Sequence, residues 1–482
     1  MLLRTACALA LSAACASASS TLDVPEAGGP GAKADRGGLG LTFTAPLSPR
    51  RGPVELTFAV TGGAIDASSL RLELETTEGW AAATTFGRVH ATDDGLSVTW
   101  DSFQDVDVDV DASLRLASDR GALPFAVALR NAPETDRIVA VSHPLVEANA
   151  GGAAGRGHDV ALLSWGGAQA RITGTSRRMS VGGGPRRVRA SPDGRFLAVL
   201  NGSDGTVSLL RTPLGGPAAA ASTELAARLP GVAPVDLVWS PDGRRLLVAA
   251  MGDMVDSASL WSVDVPADDG PFQWMEQVAT LPGPPLRLDA DRAGRTLVFC
   301  GSGGRGLDKL VLLDAAGNEL SRVEADMSTP NTLVFAPDGR RAVMTSTFYG
   351  DEVRLIDTTG SLAFVGAPLT SLVSPFGFIV HPSGSGAGLL SQLDKNRATS
   401  LTISSQGLRA GTTVAGLSLA GDLAMVERGR SAGTVLATGV SGSDGVLHVV
   451  RLGGSGTASV PQEAVRLGTG AENIPDGVAV QR

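Results

Sequence analysis

The segment from Pro185 to Leu200, PRRVRASPDGRFLAVL, decides the fold. A proline opens an apolar-alternating run, Ser191-Pro192-Asp193-Gly194-Arg195 reverses it, and Phe196-Leu197-Ala198-Val199-Leu200 runs back. Pro, Asp and Gly in that order are turn chemistry: Pro presets φ, Asp bonds the backbone two residues on, and Gly accepts positive φ. The turn returns as Ser240-Pro241-Asp242-Gly243-Arg244 and Ala336-Pro337-Asp338-Gly339-Arg340. Aligning Pro185, Pro234, Pro285, Pro330 and Pro375 places Gly194, Gly243, Gly294, Gly339 and Gly384 nine residues later, so the unit repeats every 45 to 51 residues. A third apolar run follows, as in Thr206–Leu210, Lys309–Leu313 and Glu352–Ile356, and then a more variable fourth. Four short strands per repeat predict a propeller blade.

Two further units complete the ring. A degenerate sixth is centred on Gly433, where Gly442-Ser443-Asp444-Gly445-Val446-Leu447-His448-Val449-Val450-Arg451 echoes Gly202–Arg211 but the leading proline is lost. Pro475-Asp476-Gly477-Val478-Ala479-Val480 reads as a first strand with no turn after it, while Arg137–Val141 and Val160–Ser164 read as second and third strands with none before them. The carboxy-terminal strand is therefore predicted to close the seventh blade, which leaves no open sheet edge there. The repeats over 133–482 resemble YVTN-type and lactonase-like seven-bladed propellers, with the Ser-Pro-Asp-Gly-Arg turn as the best match. That resemblance implies a scaffold whose relatives include binding proteins, envelope-complex components and lactone-cleaving enzymes; it does not imply a particular ligand.

The amino terminus reads as an export signal over 1–18: Arg4, the apolar run Ala6–Ala14 and the small-residue site Ala16-Ser17-Ala18. Ser12-Ala13-Ala14-Cys15 also resembles a bacterial lipobox, which would lipidate Cys15, so a lipid anchor and free secretion both stay open. Either way the expected address is outside the cytoplasm: the periplasm, the outer membrane by a lipid anchor, or the extracellular space. Residues 19–37 read as a flexible linker. Residues 38–132 alternate as short strands, including Val54–Val60, Leu70–Leu74, Leu96–Trp100 and Phe125–Leu129, and resemble an Ig or fibronectin-III-like β-sandwich. The predicted class is all-β: an Ig-like sandwich, then a seven-bladed propeller.

A net charge of -9 with no basic tract argues against electrostatic binding to nucleic acid. No later segment is apolar for long enough to span a bilayer. Beyond the signal only Cys300 remains, so no internal disulfide is expected. The expected partner is an envelope or extracellular protein or glycan, met by a monomeric propeller without a required cofactor.

Candidate site residues lie in the loops that propellers turn toward ligands: His143, His158, Arg187, Asp253, Asp256, Arg305, Tyr349, Asp351, Glu352, Asp394, Asn396 and Arg397. Asp105, Asp107, Asp109 and Asp111 alternate with Val and put four carboxylates on one face; they are either an edge guard or a calcium site. Gly429-Arg430-Ser431-Ala432-Gly433 fits a nucleophile-elbow string but falls in the hairpin register. Gly301-Ser302-Gly303-Gly304-Arg305-Gly306 fits a dinucleotide fingerprint but precedes a strand where that fingerprint needs a helix. The primary expectation is an exported binding or scaffold protein. The alternative is a lactonase-like hydrolase using a divalent metal at the propeller mouth.

Overall fold

The computed structural model describes 137–148 and 154–481 apart from short segments (168–169, 174–176, 213–221, 229–232, 253–257, 266–272, 303–305, 327–329, 348–349, 383–385, 428–430 and 470–474), and before residue 137 it describes strands only. The chain divides into two compact units, Met1–Pro133 and Glu134–Arg482. In the first unit the strand backbones pair as two sheets. One joins Gly40–Phe43, Val54–Thr61, Gly95–Trp100 and Gly87–Thr92; the other joins Arg50–Arg51, Gly121–Arg130, Val110–Ser118, Arg71–Thr76 and Gly79–Ala82. The export signal, Cys15, the linker, and Asp105, Asp107 and Asp109 lie outside the described residues; Asp111 lies in a strand, opposite Ala128.

The second unit is a seven-bladed β-propeller. Six blades run outward in chain order from the innermost strands Pro185–Ala190, Ala233–Trp239, Pro285–Ala290, Pro330–Phe335, Pro375–Val380 and Leu423–Val426. The remaining blade joins the two ends of the unit: Val478–Val480 is its innermost strand, paired antiparallel with Arg137–Ala148, which pairs in turn with Ala154–Gly166. Among the described residues the only helical element is the 3-10 turn Leu393–Lys395, and no helix is long and apolar enough to cross a membrane.

Blade geometry explains the apolar runs. Second strands such as Phe196–Asn201 and Ala387–Gln392 are buried along their whole length, because each blade is covered on both faces by its neighbours. A wedge of side chains fills each gap: Phe196, Leu200, Leu237, Trp239 and Val248 pack between two adjacent blades. Trp239 stacks on Phe196 at 6.4 Å between ring centroids and donates its Nε1–H to the Arg189 carbonyl at 3.0 Å, so its polar end is satisfied inside the wedge. Outermost strands such as Gly407–Ala415 are mostly exposed.

The recurring turn works as its residues suggest. Ser191 Oγ donates to Asp193 Oδ1 at 2.6 Å and accepts from the Phe196 amide at 3.0 Å, while Gly194 takes φ +73°. Gly433 also has a positive φ, +83°, and sits between the first and second strands of its blade. Ser431 is thereby in a hairpin, with no helix to follow it as an elbow would need. A strand, Asp308–Leu313, follows the Gly301–Gly306 stretch.

Ring closure is latched by polar groups as well as by the ladder. The Gln481 amide donates to the Ile138 carbonyl at 2.8 Å, its Oε1 accepts from the Ile138 amide at 3.1 Å, and its Nε2 donates to Gly194 O in the next blade at 2.8 Å. Ser142 Oγ accepts from the Gly477 amide at 2.9 Å and donates to the Arg186 carbonyl at 2.8 Å. Gln481→Leu removes the partner of a buried amide and is expected to lower stability by about 2 kcal/mol. Urea unfolding of the full chain measures this; a loss below about 0.5 kcal/mol would contradict the latch.

Candidate functional site

The innermost strands line the central channel, and the repeat decides what they present there. Arg187, Asp236, Arg287, Thr332, Gly377 and Gly477 each stand two residues after a leading proline, at one level of the ring. Asp422 precedes the one innermost strand that lacks its proline. Charged side chains at this level meet across the channel. Arg187 Nε lies 3.7 Å from Asp236 Oδ1, and Arg187 Nη1 lies 3.6 Å from Asp422 Oδ1. Its Nη2 donates to the Asn331 carbonyl at 3.3 Å. One guanidinium thus reaches three other blades. Arg189 Nη1 approaches Asp422 Oδ2 at 3.9 Å.

The carboxylates also hold the backbone. Asp236 Oδ2 accepts from the Leu288 amide at 3.2 Å, Asp422 Oδ2 from the Val478 amide at 3.2 Å, and Asp289 Oδ2 from the Phe335 amide at 2.7 Å. Each bond joins one blade's innermost strand to that of the next. Arg287 differs: its Nε donates to Asn331 O and its Nη1 to Leu286 O, both at 2.6 Å. No carboxylate pairs with it among the described residues.

Burial sets the ionisation of this layer. The Arg187 guanidinium is held above its ordinary pKa: burial opposes the charge, but Asp236, Asp422 and Asp476 together outweigh that cost. Burial and the adjacent Arg187 charge bring Arg287 down to about 10, which leaves it cationic at neutral pH. Burial pushes the Asp289 carboxyl up to about 6 against the opposing Phe335 amide and Arg189 charge. The layer offers fixed cations, hydrogen-bond acceptors and one carboxyl that titrates near neutrality.

Of the residues singled out by sequence, Arg187 alone belongs to this layer. Asp351 Oδ1 accepts from the Ser374 amide at 3.0 Å and Asp394 Oδ2 from the Ser374 hydroxyl at 2.7 Å, so the two carboxylates brace a residue at φ +52°. Asn396, at φ +50°, accepts the Leu419 amide at 2.8 Å; Arg397 donates to Gln392 at 3.0 Å; Glu352 pairs with Arg354 at 2.7 Å. Asp253, Asp256, Arg305 and Tyr349 lie outside the described residues. His143 is buried and stands opposite Asp159, with Nδ1 3.7 Å from the Asp159 carboxylate, whereas His158 is exposed. No group of three His, Cys, Asp or Glu residues among the described ones has metal-binding geometry.

Sequence reasoning missed Asp236, Arg287, Asp289, Asp422 and Arg189. For all but Asp422, whose repeat has lost its proline, the available signal was a charged residue two or four places after the leading proline, on the strand face that turns away from the wedge core.

No family model matches the chain, and no curated protein matches it. Among solved structures it is similar to the periplasmic gluconolactonase of Pseudomonas aeruginosa, with TM-score 0.53 and 17% identity over 72% of this chain and 99% of that one. A protein from Lactobacillus plantarum gives TM-score 0.53 and 13% identity over 72% and 100%. A protein of unknown function from Desulfotomaculum acetoxidans gives TM-score 0.50 and 12% identity over 71% and 98%. At these identities the likeness establishes the propeller fold.

His143 carries a testable linkage. Burial, reinforced by the Arg178 charge, lowers its imidazole to about 3. The unfolded chain takes up that proton near pH 6.5, so the stability from keeping His143 neutral is present above about 6.5 and is lost as pH falls toward 3. Replacing His143 by Leu is expected to remove about 2–3 kcal/mol of the acid sensitivity between pH 6.5 and 4.5. Urea midpoints at the two pH values measure it; equal losses in both proteins would contradict the linkage.

Proposed function

We propose that this chain is an exported binding protein whose propeller receives a polar ligand in the charged layer of its channel. The amino-terminal unit acts as an Ig-like spacer, and the leader directs the protein to the periplasm, the envelope or the medium, with Cys15 available for a lipid anchor. The observation that carries the reading is the Arg187–Asp236–Asp422 layer with Arg287 beside it. Charges taken from several blades converge at one level of the closed ring, and convergent polar groups held on rigid elements are what small-ligand sites use. The partner in the envelope is met through the ligand-bearing face of the propeller.

Thermal unfolding of the full chain against neutral, anionic and cationic small molecules tests the reading. A ligand at a hundred times its Kd adds about 2.7 kcal/mol to stability. That shift should vanish in Thr332→Trp, which fills the channel at the level of Arg187. A stabilising ligand whose shift survives Thr332→Trp would place binding elsewhere and overturn the reading.

One observation favours a second reading, lactone hydrolysis with a carboxylate as general base. Asp289 lines the same channel, and burial holds its carboxyl near 6, within range of a general base; the nearby Arg189 charge would stabilise a developing oxyanion. Hydrolysis by the full chain that rises with pH through about 6 and is lost in Asp289→Asn would support this reading. No turnover with a panel of γ- and δ-lactones would exclude it.

A further inference from the structure

We propose that the ligand is a small monocarboxylate, held end-on by the Arg287 guanidinium. The inference rests on the reading of the channel as a binding site and adds the ligand's chemical class and its anchoring residue. Arg187 and Arg189 each have carboxylate oxygens within 4 Å, Asp236 or Asp422. Arg287 is held by two neutral carbonyls, Asn331 O and Leu286 O, and its Nη2 has no hydrogen-bond partner among the described residues. The Asn331 carbonyl is shared with Arg187, so two guanidinium groups converge on one oxygen; Asp236, Asp422 and Asp476 act on Arg287 through their charges, with no carboxylate oxygen in ion-pair contact among the described residues.

The geometry of the free edge selects the ligand. Nε and one Nη1 proton are committed, which leaves the second Nη1 proton and Nη2 to point along the end of the fork. Two parallel N–H donors at that spacing match the two oxygens of a carboxylate. The surrounding carboxylates limit the charge that can enter. Asp236, Asp422 and Asp289 are fixed by the backbone amides they accept, so a ligand with two or more negative charges meets repulsion that a monoanion largely escapes.

Isothermal titration of the full chain with acetate, lactate and benzoate tests the proposal, with acetamide as the neutral counterpart of acetate and phosphate and sulfate as multiply charged oxyanions. At least one monocarboxylate is expected to saturate, acetamide is not, and phosphate and sulfate are expected to bind more weakly. Arg287→Gln is expected to weaken binding at least tenfold and Arg287→Lys, which keeps the charge and loses the fork, by less. Arg322→Gln, on an exposed outer strand, should leave binding unchanged. Should the Arg287 variants fail to fold, phenylglyoxal modification of the unaltered protein serves instead: the monocarboxylate should protect Arg287 in peptide mapping.

Absence of saturation by all three acids, tighter binding of phosphate or sulfate, or an affinity unchanged in Arg287→Gln would each overturn the proposal. Binding lost in Thr332→Trp but indifferent to Arg287 would overturn it while leaving the channel reading intact. A stabilising ligand insensitive to Thr332→Trp would remove both.

Discussion

Arg187 holds a charge with only 14% of its side-chain surface exposed, and the Asp236 and Asp422 carboxylates within 4 Å offset the cost of burying it. Its own blade supplies none of them. Asp236 comes from the next innermost strand, whereas Asp422, just before the Leu423–Val426 strand, comes from the sixth blade in chain order and reaches Arg187 across the ring. Asp422 at the same time accepts the amide of Val478, in the carboxy-terminal strand. The charged layer and the closure of the ring are therefore linked through Asp422, which meets Arg187 on one side and the closing strand on the other.

The wedges between blades supply most of the favourable energy, because second and third strands lose both faces to solvent. They do not choose the number of blades or the order in which the blades meet. Polar bonds between blades add that specificity: Trp239 to Arg189, the Leu288 amide to Asp236, the Phe335 amide to Asp289, and Arg295 Nη1 to the Thr358 carbonyl at 2.7 Å on the turn side. Each is directional and buried or half-buried, so a slipped arrangement would strand its donor.

The blades were legible because local chemistry repeats. Pro, Asp and Gly at fixed offsets carry their meaning within a few residues, and Arg137–Val141 and Val478–Val480 declared themselves as halves of one blade because each lacked what the other had. The channel was much less legible. Loop charges drew attention because loops carry function, yet Asp351 and Asp394 turn out to brace Ser374. Asp236 and Arg287 look like ordinary polar positions of an alternating strand; their significance depends on which strands face each other across a ring, a relation that no local pattern encodes. Asp422 had no leading proline to place it in register. Asp105, Asp107, Asp109 and the leader lie outside the described residues and rest on sequence alone.

Hydrogen exchange of the full chain and of Asp422→Asn, followed amide by amide, tests most directly whether channel charge and ring closure are coupled. Protection is expected to fall together at Ile138, Ser142, Val478 and Gln481 in the closing blade and along Pro185–Ala190, because the carboxylate that neutralises Arg187 also holds the closing strand. A loss confined to the Leu423–Val426 blade, with the closing strand unaffected, would contradict the account.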